Sequence, residues 1–182
     1  MLKIVLPVIL FAAINSFGQT SALLPEVPLS KIAVFSSQPE ALIQRQMTEI
    51  GVVRGMRVQS VVATDLFTGT RMKGARFEIQ SPATTGTRDQ RTVLLDPEDV
   101  DGLIRSAEFL KSNVLNTFPD SYTDVYFSTR DGVSIGAKFF DRQWHAALTL
   151  ERSDANSTVA LRLEDLNQLL DLLQQVKAKL KQ

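Results

Sequence analysis

From Met56 onward, apolar and polar residues alternate. In MRVQSVVATDLF, Met56, Val58, Val62 and Leu66 are expected on one face, with Ser60 and Thr64 between them. Arg57, Gln59, Ala63 and Asp65 point the other way. Period two marks a half-buried strand. Thr68-Gly69 supplies a turn, because glycine accepts the positive φ of a tight hairpin. A return strand from Met72 to Gln80 places Ala75, Phe77 and Ile79 inward and Arg76 and Glu78 outward. A loop follows (SPATTGTRDQ), then a short strand from Thr92 to Leu95. The period then changes to 3.6: Val100, Leu103, Ile104, Ala107 and Leu110 form one helical stripe. Asp96 is placed to cap this helix, with Pro97 at its first position and Glu98 and Asp99 complementing its dipole. Gly102 is expected to weaken its interior.

A second series follows the same plan with tighter turns. A strand covers Asp124 to Ser128, and Arg130-Asp131-Gly132 turns the chain. The next strand has Val133, Ile135, Ala137 and Phe139 on one face. Its successor turns Trp144, Ala146, Leu148 and Leu150 inward and His145, Thr149 and Glu151 outward. Thr158 to Leu161 is the last strand. A helix from about Glu164 to Lys179 carries the stripe Leu166, Leu169, Leu170, Leu173 and Val176.

The end of each series repeats one phrase: TVLLDPEDVDGLIRSAEFLK from Thr92 and TVALRLEDLNQLLDLLQQVK from Thr158. Val93 matches Val159, Leu95 matches Leu161, and Glu98-Asp99 matches Glu164-Asp165. All five apolar helix positions stay in register. Upstream, Ala75 to Ile79 lies over Ala146 to Leu150. The expected fold class is α+β: two tandem copies of an antiparallel sheet, each closed by one C-terminal helix. One sheet and one helix bury too little to stand alone, so the copies are expected to share a core about a pseudo-twofold axis. The expected boundaries are 50–118 for the first repeat and 119–182 for the second. Strands followed by a packing helix, present twice, resemble the Whirly and PUR-type single-strand nucleic-acid-binding folds. The resemblance covers roughly 50–179 and rests on element order and duplication. It implies a sheet face bearing basic and aromatic residues, and it assigns no residue a role.

The N-terminal part differs in kind. Residues 1–18 read as a signal peptide: Lys3 is the positive region, Ile4 to Ile14 the apolar run, and Ser16-Phe17-Gly18 the cleavage site. The apolar run is too short to cross a bilayer, and no cysteine follows it for a lipid anchor. The expected product is an exported protein, periplasmic or extracellular, beginning at Gln19 and without a membrane span. Residues 19–49 look like a lead-in or linker broken by Pro25, Pro28 and Pro39, with Pro39 to Glu49 as a short helix or an extended tether.

Charge and composition narrow the function. The chain carries 20 Lys+Arg and 20 Asp+Glu, and loss of a leader containing Lys3 leaves one more acid than base. That balance disfavours nucleic acid as a partner. With no cysteine and one histidine, neither a thiol nucleophile nor a zinc site is available. Asp96, Glu98, Asp99 and Asp101 lack the spacing of a calcium loop and are explained by capping and solvent. Asn156-Ser157-Thr158 is a glycosylation sequon at a turn. No cofactor and no catalytic set is expected. A hydrolase would need an unrecognised carboxylate pair, for example Asp65 with Glu78 across the first hairpin. Alternation leaves Phe140 outward beside His145 and near Lys138. Lys138, Phe140, His145 and Glu151 are therefore the expected partner surface, open to a protein or polymer, with a homodimer as a further option. The competing expectation is that the lead-in or the other unit covers this face.

Overall fold

The computed structural model describes residues 29–80, 90–152 and 154–182. The leader expected at 1–18 and the loop residues 81–89 lie outside that set. Among the described residues, two four-stranded antiparallel sheets and three α-helices make an α+β fold. The first sheet, in the order β1-β2-β3-β4, comprises β1 (Ile43–Val53), β2 (Met56–Asp65), β3 (Arg71–Gln80) and β4 (Gln90–Leu95). The second, in the order β5-β6-β7-β8, comprises β5 (Thr123–Ser128), β6 (Ser134–Phe140), β7 (Gln143–Thr149) and β8 (Thr158–Leu161). Helix α1 (Lys31–Ser36) precedes the first sheet, α2 (Pro97–Phe109) follows it, and α3 (Leu163–Leu180) follows the second.

The phrase that recurs in the sequence occupies equivalent places. Ala75 pairs with Leu95 and Phe77 with Val93 in the first sheet. Ala146 pairs with Leu161 and Leu148 with Val159 in the second. The stripes expected on α2 and α3 are buried: Val100, Leu103, Ile104 and Ala107 on one helix, Leu166, Leu169, Leu170, Leu173 and Val176 on the other. One hydrophobic cluster contains these residues together with Met56, Val58 and Phe77 of the first sheet and Ile135, Leu148 and Val159 of the second. The helices are placed across the halves. α3 lies on β1 and β2, where Gln168 Nε2 donates to the Val52 carbonyl at 2.9 Å. α2 touches β5 and β6 as well as β3. Gly102, which lowers helix propensity, is buried where Phe127 packs: a Cβ there would stand 2.5 Å from Phe127 Cζ.

Three expectations about the first half are corrected. Pro39 to Glu49 is neither helix nor tether. β1 begins at Ile43, so the first sheet starts inside the expected lead-in and has a fourth strand. Its residues Gln44 to Glu49 are exposed on both faces, which is why no alternation marks it. β2 changes its buried face midway. Met56, Val58 and Ser60 face the main core, whereas Val61 and Ala63 are buried on the opposite side. Val62 is only half-buried and Leu66 is exposed. The cause is α1, whose Ile32 and Phe35 are buried on the outer face of the first sheet. Gly74, the partner of Val61, makes room for it: a Cβ would meet Ile32 Cδ1 at 2.8 Å and would collide with the Leu95 carbonyl. Glu78, expected to face outward, does lie on the outer face opposite Arg57, yet it is buried there, 4% exposed.

Asp96 does more than begin α2. Its carboxylate accepts hydrogen bonds from the backbone N–H groups of Lys31 (2.8 Å) and Ile32 (3.0 Å), so it holds the start of α1. Asp99 accepts in turn from the Asp96 N–H at 3.3 Å. Ser30 Oγ donates to the Leu94 carbonyl at 2.7 Å, and Lys31 Nζ meets Glu98 at 2.8 Å. Helix initiation and the docking of α1 thus use the same carboxylates.

Candidate binding face on the second sheet

Strand alternation and register order the outer face of the second sheet into rows. Asp124, Lys138 and His145 form one row across β5, β6 and β7. Tyr126, Gly136, Ala147 and Ala160 form the next, and Ser128, Ser134, Thr149 and Thr158 the third. These residues line an open trough of about 610 Å³. Its floor is shallow because the central row carries glycine and alanine. Gly136 cannot be replaced freely: a Cβ there would lie 2.5 Å from the Val125 carbonyl and 2.8 Å from Tyr126 Cβ.

Larger groups stand around this floor. Phe140 stacks on His145 with ring centroids 3.9 Å apart and planes at 13°. Phe140 is 42% exposed, and His145 Nε2 has no hydrogen-bond partner. At the other end, the Arg152 guanidinium lies 5.5 Å from the Tyr126 ring centroid, a cation–π contact. On the opposite face of the same strands, Phe139 and Trp144 meet edge to face at 5.3 Å, and Trp144 Nε1 donates to the Thr117 carbonyl at 2.9 Å. The inner rings anchor the sheet; on the outer face Phe140 and Tyr126 are exposed and His145 is half-buried.

Of the residues expected to form a partner surface, Lys138, Phe140 and His145 are brought together and Glu151 is not. Glu151 sits beyond β7, where its carboxylate is 3.8 Å from Arg91 Nε. Arg91 also donates to Asp154 at 2.5 Å and joins the end of the first sheet to the β7–β8 connection. The hydrogen bond from Arg91 holds the Asp154 carboxyl below its ordinary range. Glu151, Arg91 and Arg152 line a second groove with Arg45, Arg76 and Leu94, about 750 Å³, beside α1. Arg152 borders both hollows and makes them neighbours. Tyr126, Gly136, Ala147 and Ala160 were not singled out in the sequence. Alternation in TDVYFS does mark Tyr126 as outward. The partnership with Arg152 has no sequence signal, because a loop residue supplies it.

The expectation of a covering segment is met, among the described residues, at the first sheet. α1, from the lead-in, covers the outer face of the first sheet and not that of the second. The proposed carboxylate pair does not form. Glu78 lies opposite Arg57 while Asp65 ends the same strand, so roughly 20 Å or more of β2 separates them at about 3.4 Å per residue. Asp65 accepts from Phe67 N at 2.9 Å and Thr68 Oγ1 at 2.7 Å, which hold its carboxyl low. Glu78 is pushed up by burial, but Gln80, Arg76 and Arg57 outweigh this and its carboxyl lies below the usual range. Both are committed to structure. Among the described residues, no group of three His, Asp or Glu side chains is placed to hold a metal ion. Among the described residues, no helix is long and apolar enough to cross a membrane. No known protein-family model matches the chain, and no curated protein or solved structure matches it either.

Proposed function

We propose that this chain is a non-enzymatic, exported binding protein that takes its ligand on the outer face of the second sheet. The stacked Phe140–His145 pair beside an uncovered floor of glycine and alanine carries this reading. Flat exposed rings next to small side chains offer a surface for planar groups of a polymer or partner chain. The fold serves the site by duplication. In this reading, two sheet-plus-helix units related by a pseudo-twofold axis share one core. One sheet carries the ligand, and α1 closes the matching face of the other. Export rests on the leader pattern at 1–18. Mass spectrometry of the protein from its native host tests it: a mature form beginning at Gln19 outside the cytoplasm supports it, and a cytoplasmic chain retaining Met1 removes it.

A second reading is a single-stranded nucleic-acid-binding module. It is favoured by one observation: Arg152 links the aromatic face to a groove carrying Arg45, Arg76 and Arg91. Cations tracking a backbone beside stacking rings are what such ligands need. Fluorescence titration with a single-stranded oligothymidylate and with neutral soluble polysaccharides separates the readings. Oligothymidylate binding that weakens steeply with salt supports the second. Salt-insensitive polysaccharide binding, abolished by Ala147→Arg, supports the first. Failure of both probe classes to bind removes the polymer form of the proposal.

A further inference from the structure

We propose that two copies of the chain pair antiparallel along β1, about a twofold axis at Met47, to make one continuous eight-stranded sheet. The edges of the two sheets are unequal. β4 and β5 have 6 residues each and β8 has 4, whereas β1 has 11 and no proline. Long, unprotected edges are what folds ordinarily avoid. Residues Gln44 to Glu49 are also exposed on both faces, so no buried side chain accounts for the length of the strand. A second ladder on its edge, which no other described strand pairs, does.

The sequence of the edge is complementary to itself. With Met47 opposite Met47, Arg45 of each copy stands opposite Glu49 of the other, on the same face of the sheet, and Gln46 stands opposite Thr48. Shifting the register by one residue in either direction loses both charge pairs and puts the two outer faces on opposite sides. Among the described residues Arg45 makes no ion pair, and Glu49 has only Arg57 at 3.6 Å, on an exposed flank. Met47 is 42% exposed and would be covered at the axis. Opposite charges directly across an antiparallel pair stabilise it, and like charges there oppose it.

Sedimentation of the full chain over a concentration series tests the pairing. The wild type is expected to show a monomer–dimer equilibrium. Arg45→Glu and Glu49→Arg each place like charges across the axis, and each should raise the dissociation constant by about tenfold or more. An equimolar mixture of the two variants should recover the dimer, because every cross-axis pair is again opposite in sign. Hydrogen exchange gives an independent readout that needs no variant: amides of Ile43 to Glu49 should gain protection as concentration rises. A wild type that stays monomeric at every concentration overturns the proposal. So does a mixture no more dimeric than its components. Concentration-independent protection of β1 in a monomer would instead assign the edge to the chain's own N-terminal segment, and also overturns it.

Discussion

Gly51 on β1 lies against Leu172 on α3, so closely that a Cβ on Gly51 would stand 2.6 Å from Leu172 Cδ2. A strand of the first half is thereby shaped to the helix of the second. A second contact of the same sense is Gly102 on α2 with Phe127 on β5. In both contacts the first half supplies the glycine and the second half presses a large side chain against it, so the packing there leaves no room for added volume.

Gly51→Val should lower stability by about 1–3 kcal/mol through overpacking. Leu172→Ala in the same chain should recover part of that loss. Urea unfolding of both single variants and the double variant measures the coupling. Strict additivity would mean that β1 and α3 do not depend on one another.

Leu103→Asp and Leu169→Asp each put a charge at a fully buried position, one on each helix. Each should abolish the native state of the whole chain rather than of one half. Trp144 lies in the second half and reports on it. Loss of its native fluorescence in Leu103→Asp is the expected result. Retention of a normal Trp144 transition in that variant would show that the halves fold separately.

Asp96→Ala removes the acceptor for two N–H groups at the start of α1 and should cost about 1–2 kcal/mol. The change should appear first as faster amide exchange in Lys31 to Ser36. Gly74→Val should release α1 by a different route, since its side chain would occupy the space of Ile32.

Carboxyls divide into two groups with opposite pH behaviour. Burial raises Asp99 and Asp131 above the usual range, against hydrogen bonds from the Asp96 N–H and from Ser30 respectively. Their native state binds protons more tightly than the unfolded chain, so their contribution worsens as pH rises through the native values. Asp131→Asn should therefore raise stability at neutral pH, with the gain fading as pH falls through the raised native value and gone below the unfolded value of about 4. Glu78 is lowered, so its contribution is complete above the unfolded value near pH 4.3 and is lost as pH falls through the lower native value. Glu78→Gln should lower stability at neutral pH and converge with wild type in acid. Urea midpoints across a pH series check both signs.

Phe140→Ala and His145→Ala remove side chains on the open face and should change stability by about 1 kcal/mol or less. Thermal unfolding checks this. A larger loss in either variant would show that the stack supports the sheet rather than facing a ligand.

Much of the second half was legible before folding. Its strands alternate cleanly because one face meets the core and the other meets solvent, so Lys138, Phe140 and His145 could be placed together from Ser134 to Thr149 alone. Glu151 was misplaced with them because alternation ends at Leu150, where the strand gives way to a turn. In the first half the pattern failed for two physical reasons. Gln44 to Glu49 bury no face and leave no period. Val61 and Ala63 are covered by α1, a segment remote in sequence, which overrides the face that the neighbouring residues predict.

The sequence by itself determined the elements from Met56 onward in outline, the α+β class and the recurrence of strand and helix, because these follow from the spacing of apolar residues and from local capping; α1 and β1 left no such signal. Only the tertiary structure decided that α3 lies on β1, that Asp96 holds α1, and that, among the described residues, α1 covers the outer face of one sheet and leaves the other open. Those outcomes depend on which surfaces meet, and a contact such as Gly51 with Leu172 leaves no periodic trace in either segment.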